Sequence, residues 1–104
     1  HYLVEVKSVN LVENKTALFP DAPTARGVRH LEELIFFCND NHKAAVAFVV
    51  MREDAQEFAP HDQMDPIFGR TLRKASNCGV KILAYKCSVT EKGMEYLEKL
   101  PVIL

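Results

Sequence analysis

Apolar and polar residues alternate over residues 2–9, with Tyr2, Val4 and Val6 on one side and Leu3, Glu5 and Lys7 on the other. That two-residue period is the mark of a β-strand. The polar turn Glu13-Asn14-Lys15 leads into a second short strand at about Thr16–Phe19, and the two predict a hairpin. After Pro20-Asp21-Ala22-Pro23, the positions Val28, Leu31, Leu34, Ile35 and Cys38 recur along one helical face. An amphipathic helix is therefore predicted over roughly Thr24–Cys38, stopped by Asn39-Asp40-Asn41. Ala44–Met51 is an unbroken apolar run dense in Val and Phe, which predicts a central strand covered on both faces.

The stretch Arg52–Met64 is polar, carries Pro60 and reads as a loop. Asp65-Pro66 then supplies an N-cap and a first-turn proline for a second helix, with Phe68, Leu72 and Ala75 on one face until Asn77-Cys78-Gly79. Val80–Val89 is again strand, and Thr90 opens a short last helix holding Met94, Leu97 and Leu100. The predicted order is ββαβαβα. This is an α/β fold with a mixed, mostly parallel sheet flanked by helices, in which ligands sit where loops converge beyond the strand ends.

Composition bounds this picture. The 104 residues suit one domain, 1–104, and the 13 Lys+Arg against 14 Asp+Glu leave a net charge of −1. Binding of nucleic acid by bulk charge is thereby excluded, though not by a local basic face. No apolar run approaches the roughly 20 residues that cross a bilayer, so no membrane partner is expected. Cys38, Cys78 and Cys87 are odd in number, widely spaced and without a CxxC pair, which fits reduced thiols in a cytoplasm. The chain opens on His1 in what reads as mid-sheet, and it is expected to be part of a longer protein whose upstream strands lie before His1.

The sharpest chemistry is Glu5-Val6-Lys7. Two residues apart on a strand, both side chains share a face. A carboxylate can ligate Mg²⁺ while an adjacent ammonium holds an attacking water or stabilises a phosphorane-like transition state, the pairing that phosphodiester cleavage needs. The plainer reading is a solvated salt bridge on an edge strand. Asp21, between hairpin and helix, is either a second metal ligand or a helix-capping residue. Arg52 follows the central strand, while Arg26 and Arg29 with His30 on the first helix, and Arg70, Arg73 and Lys74 on the second, form two small basic clusters. These residues are candidate phosphate contacts or solvated helix faces. No Gly-rich phosphate loop, zinc-site spacing or nucleophile motif is present.

Four segments carry a resemblance: Tyr2-Leu3-Val4-Glu5-Val6-Lys7-Ser8-Val9, Ala17 through Gly27 with the unusual string Phe19-Pro20-Asp21-Ala22-Pro23-Thr24, Phe48 through Ala55, and Phe58-Ala59-Pro60 with Asp65-Pro66-Ile67-Phe68. In order and over nearly the whole chain, they resemble the sugar fermentation stimulation protein A family. The resemblance implies a C-terminal domain with a restriction-endonuclease-like, PD-(D/E)XK core, preceded in family members by an OB-like barrel. It implies that Glu5 is the acidic metal ligand and Lys7 the lysine near the attacking water, with Mg²⁺ or Mn²⁺ as cofactor and DNA as partner. Asp21 and Arg26 match the family's PDAPTxRG string. The resemblance places a second acidic ligand upstream of His1, so residues 1–104 alone are expected to be catalytically inactive. It also implies a link to maltose and other sugar metabolism, exerted either by cleavage or by a DNA-binding regulator on a nuclease scaffold.

Overall fold

The computed structural model describes residues 2–104. Its elements are β1 (Tyr2–Val9), β2 (Leu11–Glu13), β3 (Thr16–Phe19), α1 (Ala25–Asn39), β4 (Lys43–Val50), β5 (Glu57–Pro60), α2 (Pro66–Asn77), β6 (Lys81–Thr90) and β7 (Gly93–Lys99). The larger sheet runs β1-β4-β6-β7, with β1, β4 and β6 parallel and β7 antiparallel. β2, β3 and β5 form a second, three-stranded sheet. The mixed α/β architecture with a mostly parallel sheet is as expected from the pattern.

Register decides which side chains meet. Glu5 lies beside Val46 and Ile82, and Lys7 beside Phe48 and Ala84. Neighbours across a ladder share a face, so these six positions, in two rows of three across β1, β4 and β6, point the same way. Val46, Phe48, Val50 and Ala84 join Leu31, Leu34 and Ile35 of α1 and Phe68, Leu72 and Ala75 of α2 in one core. Phe48 is its hub, with ring centroids 4.2 Å from Phe58, 5.5 Å from Phe19 and 6.5 Å from Phe68. Glu5 and Lys7 therefore face the helical layer. β1 tolerates them because, among the described residues, it pairs on one side only and leaves its other edge to solvent.

Both helices start where the sequence places them. Thr24 Oγ1 accepts from the Gly27 amide at 2.9 Å, and Asp65 Oδ1 from the Phe68 amide at 3.0 Å, with Pro66 in the first turn. Gly27 sits where α1 meets α2: a Cβ there would stand 2.8 Å from Thr24 Cγ2 and 3.2 Å from the Phe68 ring.

Four expectations change. β1 does not pair with residues 16–19, because the hairpin is β2–β3, closed by Asn14 and Lys15 at φ 49° and 69°. A two-residue loop with both φ positive matches the twist of its strands. That frees β1 to run parallel to β4. The Arg52–Met64 loop contains β5, a short edge strand whose Phe58 is buried and whose proline falls at its last position, where a missing N–H costs least.

β4 is covered by α1 and α2 on one face only. Its opposite face, Ala45, Ala47 and Val49 beside Val4 and Val6 of β1, is not part of the helix-covered cluster: Ala45 and Ala47 are buried within the sheet, while Val6 is 61% exposed. The unbroken apolar run thus reflects two apolar faces rather than two helical layers. Finally, the last helix is a strand, so the order ends β6β7. Gly93 at φ 119° and the Thr90 hydroxyl, accepting from the Lys92 amide at 3.2 Å, close a tight turn. Met94 and Tyr96 then pair with Val89 and Cys87. The spacing Met94, Leu97, Leu100 imitates a helical stripe, but only Leu100 is buried, so no apolar face exists to hold a helix there.

Candidate active site

Glu5 and Lys7 meet as their spacing requires, with Lys7 Nζ 3.3 Å from Glu5 Oε1. A third group joins them from α1: His30 Nδ1 lies 2.7 Å from Lys7 Nζ and 3.2 Å from Glu5 Oε1. His30 precedes the fully buried Leu31 and follows Gly27 by three residues, so packing of that helical stripe sets it over β1. The side chains are 14% (Lys7), 19% (His30) and 34% (Glu5) exposed, a gradient that places the ammonium deepest and the carboxylate nearest solvent. An ammonium so enclosed needs acceptors, and it has two. Both contacts to Glu5 fall on Oε1. Among the described residues, Oε2 is left for a ligand.

Asp21 is exposed in the Pro20–Thr24 segment, and among the described residues no hydrogen bond or ion pair ties it to Glu5, Lys7 or His30. Nor does it cap α1, since Thr24 does that. The Thr24 amide instead donates to Asp65 Oδ2 at 2.9 Å, so the buried Asp65 carboxylate serves the start of both helices. Among the described residues, no three His, Cys, Asp or Glu side chains stand close enough together to hold a metal ion.

The basic candidates divide in two. Arg52 grips Asp54 through Nε and Nη2 at 3.0 and 2.7 Å and reaches the Asn10 carbonyl at 3.3 Å. Arg73 grips both oxygens of Asp62 at 2.9 and 2.8 Å. These hydrogen bonds hold the Asp54 and Asp62 carboxyls below the usual range and raise Arg73 above its own. Arg26, Arg29, Arg70 and Lys74 are exposed and carry no ion pair among the described residues. They keep their charge available, whereas Arg52 and Arg73 are largely neutralised. His30 was visible in the sequence only as a member of a basic cluster. Its signal was position: a polar residue adjoining the stripe Gly27, Leu31, Leu34 that faces the sheet.

Comparison with known proteins places this geometry. The profile described as "Sugar fermentation stimulation protein RE domain" matches residues 1–93. The sugar fermentation stimulation protein homolog of Carboxydothermus hydrogenoformans is 50% identical over 97% of this chain and 44% of its own. That of Acetivibrio thermocellus is 47% identical over 99% of this chain and 45% of its own. Among solved structures, Pyrococcus furiosus SfsA in complex with Ca²⁺ is similar at a TM-score of 0.92 and 33% identity, over 97% of this chain and 44% of that one. The chain thus spans less than half the length of the relatives it matches. The three cysteines are free thiols, and among the described residues no helix is long and apolar enough to cross a membrane.

Proposed function

Because the chain belongs to the sugar fermentation stimulation protein family and has its restriction-endonuclease-like fold, we propose that Glu5, Lys7 and His30 form the core of a DNA phosphodiester-cleaving site. The observation that supports this reading best is the convergence itself: a carboxylate and an ammonium two residues apart, met by an imidazole from another element.

Glu5 fits a hard divalent cation as one oxygen ligand, being anionic, partly exposed and open at Oε2. The solved relative's Ca²⁺ is an ion of the same oxygen-seeking class, and Mg²⁺ or Mn²⁺ is proposed for chemistry. The described residues supply no complete ligand set, so remaining positions go to water, phosphate oxygens or residues outside this chain, with Asp21 as a proposed further ligand. When bound, such an ion polarises the phosphoryl oxygen and acidifies a bound water. Lys7 then presents fixed positive charge to the phosphate as negative charge develops on it, and orients the attacking water. Arg26, Arg29, Arg70 and Lys74 steer and seat the backbone phosphates, and Arg52 and Arg73 assist less, being already paired. The proposed setting is cytoplasmic.

The sparse ligand set favours a second reading, a DNA-binding regulator of sugar, including maltose, metabolism that has kept the scaffold without cleavage. One experiment separates the two. A chimera in which this chain replaces the matched 44% of the C. hydrogenoformans protein is incubated with labelled DNA and Mg²⁺ or Mn²⁺. Cleavage lost in Glu5→Gln and Lys7→Met supports the nuclease. Salt-dependent binding without cleavage, unchanged by both substitutions, supports the regulator. Neither binding nor cleavage overturns both.

A further inference from the structure

We propose that His30 is the positioning residue of this site: its imidazole, accepting through Nδ1, holds the Lys7 ammonium in place independently of Glu5. What Lys7 does once held rests on the phosphodiester reading above. That it is held by His30 does not.

Proton bookkeeping fixes the roles. Two nitrogens 2.7 Å apart need one donor and one acceptor, and an ammonium has three donors and no lone pair. With the Lys7 ammonium as the donor, Nδ1 is the acceptor, which assigns the ring proton to Nε2. The 3.2 Å approach of Nδ1 to Glu5 Oε1 follows from this, since both atoms are acceptors converging on the same ammonium from two sides.

The arrangement answers a need of the site. Lysine is a point charge on four rotatable bonds, and an unheld Lys7 would lose much of its directional value. Glu5 alone holds it loosely, since the Glu5 carboxylate is the most exposed member of the cluster and stands 3.3 Å from Nζ against 2.7 Å for His30 Nδ1. His30 has only two side-chain torsions and stands on a 15-residue helix locked by Leu31 and Leu34. It supplies the contact that survives when Glu5 is engaged. Holding a reacting group within a fraction of an ångström is what such supporting residues contribute to rate.

Two measurements test this, and they fail separately. The first needs no activity: long-range ¹H–¹⁵N spectra of this chain above neutral pH read the tautomer of each histidine. The expected result is an Nε2–H tautomer for His30 with a hydrogen-bonded Nδ1, whose resonance moves to the free-acceptor position in Lys7→Met. An Nδ1–H tautomer, an imidazolium, or an Nδ1 resonance indifferent to Lys7→Met overturns the proposal. The second uses the cleaving chimera. His30→Ala should lower kcat by about 10–100-fold with little change in KM, as loss of an orienting partner does. His30→Asn, which keeps an acceptor near the Nδ1 position, should restore most of it, and His30→Ala should cost nothing further in a Lys7→Met background. Unchanged kcat in His30→Ala overturns the positioning role. If the parent chimera does not cleave, the phosphodiester reading falls and the spectra alone decide on His30.

Discussion

Two polar clusters in this molecule are built from the same ingredients and are arranged oppositely. In the Asp62–Arg73 clip, guanidinium and carboxylate meet fork to fork at 2.9 and 2.8 Å, each carboxylate oxygen has its own donor, and both side chains are well exposed at 51% and 38%. In the Glu5–Lys7–His30 cluster, two nitrogen groups crowd one oxygen, and the carboxylate is the most exposed member. A bidentate pair is saturated and directional, so it fastens a loop to a helix. A cluster that loads one oxygen of its most exposed member and buries its cation keeps an acceptor with no hydrogen bond among the described residues. The first geometry serves structure and the second suits a ligand, although a charge count along the sequence rates them alike.

The comparison breaks first on activity. If the β1 cluster is the site, Lys7→Met in the cleaving chimera should lower kcat by at least about 100-fold, the scale of losing one preorganised charge-stabilising group. Stability should fall by no more than about 1 kcal/mol, because Met retains the buried stem and the partly exposed Glu5 carboxylate is rehydrated when its partner is removed. A larger loss of stability in Lys7→Met with cleavage unchanged would show the cluster to be structural.

Next in size is Asp65, the one buried carboxylate among the described residues. Asp65→Ala removes the acceptor of the Phe68 amide and that of the Thr24 amide together. A lost N-cap is worth about 1 kcal/mol, and an amide stranded without a partner adds about 1–3. The expected loss is roughly 2–4 kcal/mol in urea unfolding, with both helices weakened and the histidine tautomers of the remaining folded fraction unchanged.

What could be read in advance follows from which forces are local. Strand β1, the cap at Asp65 and the Glu5–Lys7 pair rest on local spacings that a sequence displays directly, whereas the cap of α1 is Thr24 and not the Asp21 that the sequence offered. β5 and β7 rest on pairing with distant partners: β5 exists because β3 lies beside it, and β7 because a glycine turn folds it onto β6. Met94, Leu97 and Leu100 satisfied a helical spacing that no packing surface rewarded. His30 failed to stand out for the same reason. Its chemistry is a contact across 23 residues with Lys7, and only the crossing of α1 over β1 reveals it. The second bond of Asp65, to the Thr24 amide, is likewise a tertiary fact laid over a legible cap.

The clip itself is the place for smaller effects. Arg73 holds the Asp62 carboxyl below its ordinary range, so the folded-state value lies below the unfolded one near 3.9. Its stabilisation is therefore present above the unfolded value and is lost as pH falls through the folded one. Asp62→Asn should cost about 0.5–1 kcal/mol near neutrality, the range of an exposed pair, and nothing once acid has protonated the carboxyl in both states. Cleavage by the chimera should be unaffected.

Gly69→Ala sharpens the point by opposing two small terms. A Cβ at Gly69 would fall 1.9 Å from Asp62 Oδ1 and 2.9 Å from Arg73 Nη1, so the clip lies directly over that glycine and must swing away. The displaced atoms are the ends of exposed side chains, which makes the move cheap. The loss is bounded by the worth of the clip, while alanine in a helix gains up to about 1 kcal/mol over glycine. Net stability should change by less than about 0.5 kcal/mol, with the Asp62 carboxyl titrating back toward its ordinary value by NMR. A loss well beyond that would mean the Asp62–Arg73 bridge carries more of the fold than an exposed ion pair can, and the contrast with the β1 cluster would weaken accordingly.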